Sequence, residues 1–221
     1  MPESPSGLTS VQAFLKRSFD VIFSFLGLAL VWWVILISYI LASIDTRANG
    51  FFIQKRIGRN GELFSFVKLR TMRSDPTFQT NVTTDKDPRI TRLGRIFRKT
   101  KIDELPQLIH VLLGQMSFVG PRPDVPGFAD KLEGQDRMIL NVRPGITGPA
   151  TLKYRNEEEI LARQKEPENY NRKVIWPEKT RLNLEYVETY SFWSDIGLIL
   201  KTVGRKPQAM NREQNMVNSA R

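Results

Sequence analysis

The chain of 221 residues contains no cysteine and a single histidine, His110. The first absence removes disulfides and thiolate metal centres, and the second leaves an imidazole-based zinc site short of ligands. Any metal bound here must be a hard cation held by oxygen. Acidic side chains are also scarce: 33 lysines and arginines face 23 aspartates and glutamates, a formal charge of +10. That surplus selects anionic partners, namely nucleic acid, phospholipid headgroups or a phosphorylated substrate, without choosing among them. The length suits one globular domain with room for a membrane element.

Charge is missing altogether from residues 21–44, which lie between Asp20 and Asp45. As a helix at ~1.5 Å per residue this run would be about 36 Å long, enough to cross a bilayer core of about 30 Å. It is too long for the apolar part of a signal peptide, and no small-x-small cleavage site follows it. Proline is absent from it as well. A helix that enters and leaves a bilayer on one face needs a break, and only Gly27, Ser24, Ser38 and Ser43 are weak points, with Trp32-Trp33 near the middle. By themselves these residues favour a simple spanning helix over a re-entrant or a buried soluble one. The flanks pull the other way, because Lys16 and Arg17 before the run and Arg47, Lys55 and Arg56 after it all favour the cytoplasmic side.

Residues 1–13 read as a mobile tail. Residues 51–72, "FFIQKRIGRNGELFSFVKLRTM", alternate apolar and basic residues around Asn60-Gly61 and predict two short strands joined by a tight turn. A polar loop over 79–90 follows, and Asp87-Pro88 predicts the start of a helix. In that helix Arg92, Arg95 and either Arg98 or Lys99 form a basic face, with Leu93, Ile96 and Phe97 on another. Such a helix is either solvated or lies in the plane of an anionic membrane. The stretch "DELPQLIHVLLG" places Leu105, Leu108, Ile109, Leu112 and Leu113 at helical spacing up to Gly114, with Asp103 and Glu104 in the first turn, where Pro106 is tolerated. His110 inside it reads as a packing residue. "SFVGPRPDVPGF" displays Arg122 from a stiff loop, "VRPGITGPA" displays Arg143, and Asn156 reads as the cap of a helix whose first turn holds Glu157 to Glu159.

Asp103 is either a helix N-cap or a reactive group. Beside Arg98, Lys99 and Lys101 it should have a depressed pKa and stay ionised, available as a nucleophile or metal ligand. Arg122 and Arg143 add guanidinium groups suited to phosphate, and an adjacent carboxylate suits Mg²⁺. That inventory fits phosphoryl transfer. A membrane-anchored scaffold whose acidic pair only caps a helix is one rival. A nucleic-acid-binding protein is another, and the apolar run argues against it.

The order "KRSFD", apolar run, "RKTKIDELPQLIHVLLGQMSFVGPRP", "VRPGITGPA" and "YSFWSDIGLILKTV" resembles the bacterial sugar transferases, the monotopic polyprenol-phosphate phosphoglycosyl transferases, over residues 14–203. The resemblance implies an α/β, mostly helical fold. It comprises a re-entrant membrane helix over 14–47, a cytosolic catalytic domain over 48–205 with short β-strands and in-plane amphipathic helices, and a polar tail over 206–221. It implies transfer of a phosphosugar from a UDP-sugar to undecaprenyl phosphate, releasing UMP, on the cytoplasmic face of the bacterial inner membrane. Asp103 takes the place of the family nucleophile and Glu104 that of the Mg²⁺ ligand. Arg98, Arg122 and Arg143 match its phosphate and nucleotide contacts, and Arg70 and Asn183 complete the expected substrate-binding set. The implied partners are the two substrates and inner-membrane lipids, with no nucleic acid and with room for a homodimer. The chain departs from the family pattern at two places. Trp32-Trp33 stand where many members have Ser-Pro, and Asn183 stands where many have aspartate, which removes a charge and leaves a catalytically inactive homologue as the alternative. The segment around "KYRNEEEILARQ" reads as an insertion concerned with sugar specificity.

Overall fold

The computed structural model describes residues 8–75, 84 and 87–204. It opens with α1 (Ser10–Thr46), one helix of 37 residues. The helix begins at a capping box. The Thr9 hydroxyl accepts the Gln12 N–H at 3.3 Å, and the Gln12 side chain accepts the Thr9 N–H at 2.9 Å. Helix thus starts inside the stretch expected to be a tail, because Thr-x-x-Gln satisfies two amides that a helix start leaves open. It ends at Arg47, which adopts a left-handed φ of 54°.

The buried positions of α1 are Lys16, Asp20, Ser24, Ile35, Ser38, Ala42 and Thr46. With half-buried Gly27 and Val31 between them, they form one stripe at helical spacing. That stripe is mostly small or polar, whereas Phe14, Ile22, Phe25, Leu30, Trp32 and Ile44 are exposed. The amphipathicity is inverted relative to a water-soluble helix. Along its length the stripe meets the rest of the chain.

The strands β1 (Phe51–Ile57) and β2 (Leu63–Leu69) pair antiparallel, with Phe51 opposite Leu69 and Ile57 opposite Leu63. Asn60 and Gly61 both take positive φ at the turn, as the sequence predicts. The following helix, α2 (Arg92–Thr100), begins later than Asp87-Pro88 suggests. Thr91 is the cap, accepting the Gly94 N–H at 2.8 Å, while Asp87 is engaged by the Arg89 guanidinium at 2.7 and 3.0 Å. A bridge between Met72 and Ile90 holds the chain extended just before the cap. Gly94 is required there, since a Cβ would lie 2.0 Å from the Thr71 carbonyl oxygen.

Lys101 turns the chain with φ 61° into a single 3-10 turn, Ile102–Glu104, which runs into α3 (Gln107–Leu112). Two three-residue strands, β3 (Ser117–Val119) and β4 (Gly145–Thr147), pair in parallel. Gly120 and Gly145 let the backbones touch, because a Cβ on Gly145 would stand 2.1 Å from the Gly120 nitrogen. Then follow α4 (Pro149–Lys153), α5 (Glu157–Ala162), α6 (Pro167–Tyr170), α7 (Trp176–Glu188) and α8 (Phe192–Gly204). Asn156 precedes α5 but makes no capping bond. The fold is mainly helical with two small sheets, in line with the expected class. Its core is distributed: Phe64, Phe66, Val111 and Met116 join β2 to α3, and Ala42, Leu69 and Phe97 join α1, β2 and α2. Val119, Val142, Tyr186 and Val187 join β3 to α7. The polar tail expected over 206–221 and part of the loop over 79–90 lie outside the described residues.

Candidate active site

Asp103 sits in the 3-10 turn at the corner between α2 and α3 and is buried. It is not a helix cap. Its Oδ1 is enclosed and has no hydrogen-bond partner among the described residues, a condition that costs about 1–3 kcal/mol for a buried polar atom. Around it stand cations from three elements: Lys68 of β2, Arg98 at the end of α2, and Lys101 of the corner itself. Burial is nonetheless the stronger influence. Together with the adjacent Glu104 charge it pushes the Asp103 pKa up to about 6, against the opposing pull of Lys68, Lys101 and Arg98. The depressed pKa expected from neighbouring charges is therefore reversed, because sequence shows the cations but not the desolvation.

Glu104 goes the other way. Burial raises its pKa, but Arg122, Lys101 and Lys68 outweigh it and bring the value down to about 2. Arg122 grips the carboxylate with both terminal nitrogens, Nη2 to Oε1 at 2.7 Å and Nη1 to Oε2 at 3.4 Å, and Lys101 Nζ lies 3.6 Å from Oε1. The loop after β3 supplies Arg122 from between Pro121 and Pro123, whose restricted backbones limit its reach. Two neighbouring carboxylates with separated titrations suit two different tasks.

Four of the expected residues thus gather: Asp103, Glu104, Arg98 and Arg122. Arg98 donates through Nη2 to Glu158 of α5 and reaches Met72 Sδ at 3.5 Å through Nη1, so the predicted insertion extends to this site. Arg70 is turned to β1 and makes no bond to the pair. It donates to the Asn49 carbonyl at 2.7 Å and shares the Phe52 ring with Lys68, at 5.7 and 5.5 Å. Arg143 is not brought to the pair. Its Nε donates to the Gly114 carbonyl at 2.8 Å, just past the far end of α3, whereas the acidic pair precedes the start of that helix. Arg17 joins it there, donating to the Val111 and Leu112 carbonyls, and both act on the negative end of that helix. Asn183 is buried in α7, with Oδ1 unpartnered among the described residues and no bond to the acidic pair.

Lys68 is the functional candidate that motif reading missed. Burial, reinforced by Arg98, lowers its pKa to about 8, with Asp103 opposing. A signal did exist: β2 buries Phe64 and Phe66, and Lys68 continues the same alternation. Glu157 and Glu158, in the first turn of α5, also bind Lys179, at 2.6 Å, and Arg98.

No three acidic or histidine side chains cluster as a metal cage among the described residues. Mg²⁺ does not require one, since it keeps several waters and leans on one or two carboxylates plus substrate phosphates. The ionised Glu104 carboxylate fits that donor set.

Residues 11–207 match the model of the bacterial sugar transferase family. An uncharacterized sugar transferase of Haemophilus influenzae is 35% identical over 205 residues, covering 86% of this chain and 40% of that protein. The undecaprenyl-phosphate glucose phosphotransferase of Komagataeibacter xylinus is 35% identical over 199 residues, covering 86% and 35%. The UDP-N-acetylgalactosamine-undecaprenyl-phosphate N-acetylgalactosaminephosphotransferase of Aeromonas hydrophila is 28% identical over 201 residues, covering 87% and 44%. The chain spans less than half the length of each of these relatives. With most of its length and all four gathered site residues inside the matched region, the chain belongs to the bacterial sugar transferase family.

Proposed function

We propose that the chain transfers a phosphosugar from a UDP-sugar to undecaprenyl phosphate in two displacements at the cytoplasmic face of the bacterial inner membrane. In the first, a carboxylate oxygen of Asp103 forms a bond to the β-phosphorus while the bond from that phosphorus to the bridging oxygen breaks, and UMP departs with the electron pair. In the second, a phosphate oxygen of undecaprenyl phosphate bonds to the same phosphorus, and the Asp103 carboxylate leaves. Both displacements concentrate negative charge, so their barrier falls where cations are already in place. Arg98 and Arg122 hold phosphate oxygens, and Lys68 offsets the charge on Asp103 and the donor. Mg²⁺ held at Glu104 would neutralise further phosphate charge.

The observation that carries this reading is Asp103 itself: buried, uncapped, with one oxygen free and three cations beside it. A scaffold would have no use for such an arrangement. Asn183 lies apart from the acidic pair, which favours an active enzyme over a degenerate one. The names of the Komagataeibacter and Aeromonas relatives support an undecaprenyl-phosphate acceptor, and the latter supports a UDP-linked donor.

The membrane part of the proposal rests on α1. Near its start, Lys16 Nζ donates to the Val119 carbonyl at 2.9 Å and to Asp195. Near its end, Ala42 packs with Leu69 and Phe97. Both flanks of the uncharged run therefore attach to one domain, which a straight span across a bilayer would separate. Helix α1 is unbroken over Ser10–Thr46, without the break that a re-entrant path needs, so the inverted amphipathicity supports a helix held on one side of the bilayer with its large apolar face toward lipid. Exposed Ile109 on α3, Leu113 at its C-cap, and Trp193 and Leu200 on α8 are the in-plane contacts.

The test is UMP release by detergent-solubilised protein with Mg²⁺, undecaprenyl phosphate and a panel of UDP-sugars. Wild type should turn over one donor, with Asp103→Asn at about a thousandth of that rate or below. Equal release by both proteins would exclude Asp103 as nucleophile.

A further inference from the structure

Gln107 takes no part in the reaction as drawn above, yet its surroundings are unlike those of a packing residue. Its side chain is 0% exposed, and neither Nε2 nor Oε1 has a hydrogen-bond partner among the described residues. Buried amides in folded proteins nearly always have partners. Gln107 lies four residues after Asp103 and three before His110 in one helical run, so the three share a face.

That face meets β2. His110 Nε2 accepts the Val67 N–H at 3.0 Å, and the His110 ring stacks on Phe66 at 6.0 Å. Lys68, the next residue along the strand, acts on Asp103. His110 Nδ1 is already bonded to Gln115 at 2.7 Å, which leaves Gln107 without use for either ring nitrogen. The other enclosed polar atom without a partner on this face is Asp103 Oδ1. One helical turn therefore holds an acceptor without a donor and an amide with its N–H groups free.

We propose that Gln107 is a positioning residue for Asp103, its amide donating to Oδ1 during turnover and holding the other oxygen toward the phosphorus. This rests on the phosphoryl-transfer reading of Asp103. In the first displacement Oδ1 becomes the carbonyl oxygen of the acyl phosphate as the other oxygen bonds to phosphorus. In the second, that oxygen–phosphorus bond breaks and negative charge returns to the carboxylate. A single N–H on Oδ1 orients the group for attack and stabilises it as it leaves.

The deciding substitution is Gln107→Met, which keeps the length of the side chain and removes its polar atoms, with Gln107→Leu beside it. An amide that makes no bond in the resting fold contributes nothing to lose, so the melting temperature should stay level or rise. The donor KM should be unchanged while kcat falls about tenfold or more, as expected for a mispositioned reacting group. Retained kcat overturns the inference. So does a kcat loss accompanied by a lowered melting temperature, or a variant that fails to fold, since each makes Gln107 a packing residue. Wild type that releases no UMP from any donor defeats the transfer reading first, and is told apart because no variant is needed to see it.

Discussion

Asp103 and Glu104 share one turn of chain and titrate at opposite ends of the carboxylate range, about 6 and about 2. Covalent neighbours differ this much because one is enclosed without a hydrogen-bond partner on Oδ1 among the described residues, and the other is clasped by a guanidinium. Lys68 completes the local balance. Its pKa, lowered to about 8 by burial and by Arg98, lies within the working range of an enzyme. Lys68 is a cation below that value and neutral above it, so its attraction for an anionic donor weakens as pH rises through it. For wild type, kcat/KM, which reports the free enzyme, should decline above about pH 8. Lys68→Arg keeps its charge and should flatten that limb. A decline that persists unchanged in the arginine variant would assign it to another group.

Among the elements, α2 has little freedom of placement. It carries Arg98 into the site, and its position depends on Gly94 passing 2.0 Å, measured to a would-be Cβ, from the Thr71 carbonyl oxygen. Gly94→Ala cannot be absorbed by a side-chain movement, because the obstacle is backbone. The substitution should destabilise the protein by about 1–3 kcal/mol, the usual range for overpacking, visible as a lowered melting temperature. It should also raise the donor KM, since α2 must shift and Arg98 with it. Full stability in the alanine variant would show that α2 and the Thr71 segment are not in contact in solution. Helix α5 reaches the same guanidinium from the opposite side through Glu158, so two elements far apart in sequence determine where Arg98 points.

The whole molecule presents a large apolar surface, made by α1 and extended by α3 and α8, on a chain of formal charge +10. That combination suits a protein seated in one leaflet of an anionic membrane. The absence of cysteine makes the topology directly measurable. Ser10→Cys and Ala48→Cys, at the two ends of α1, can be labelled with a membrane-impermeant maleimide in vesicles of known orientation. A helix held on one side of the membrane places both on the cytoplasmic side, so both should react only in inside-out vesicles. Reaction of the position-10 cysteine from the opposite side would establish a spanning helix and detach the Lys16 contacts from the native membrane-bound form.

Much of this protein was legible along the chain. The uncharged run, the turn at Asn60-Gly61 and the acidic pair beside Arg98 and Lys101 follow from local pattern, because hydrophobic period, turn chemistry and charge spacing act over a few residues. Helix α2 is capped at Thr91 and not at Asp87 because Asp87 pairs with Arg89, a choice the sequence leaves open. Packing of distant segments set the rest: the raised Asp103 pKa, the recruitment of Lys68, the unpartnered amide of Gln107, and the separation of Arg143 from the acidic pair. Desolvation has no local signature, since it is set by whatever the rest of the chain packs around a group.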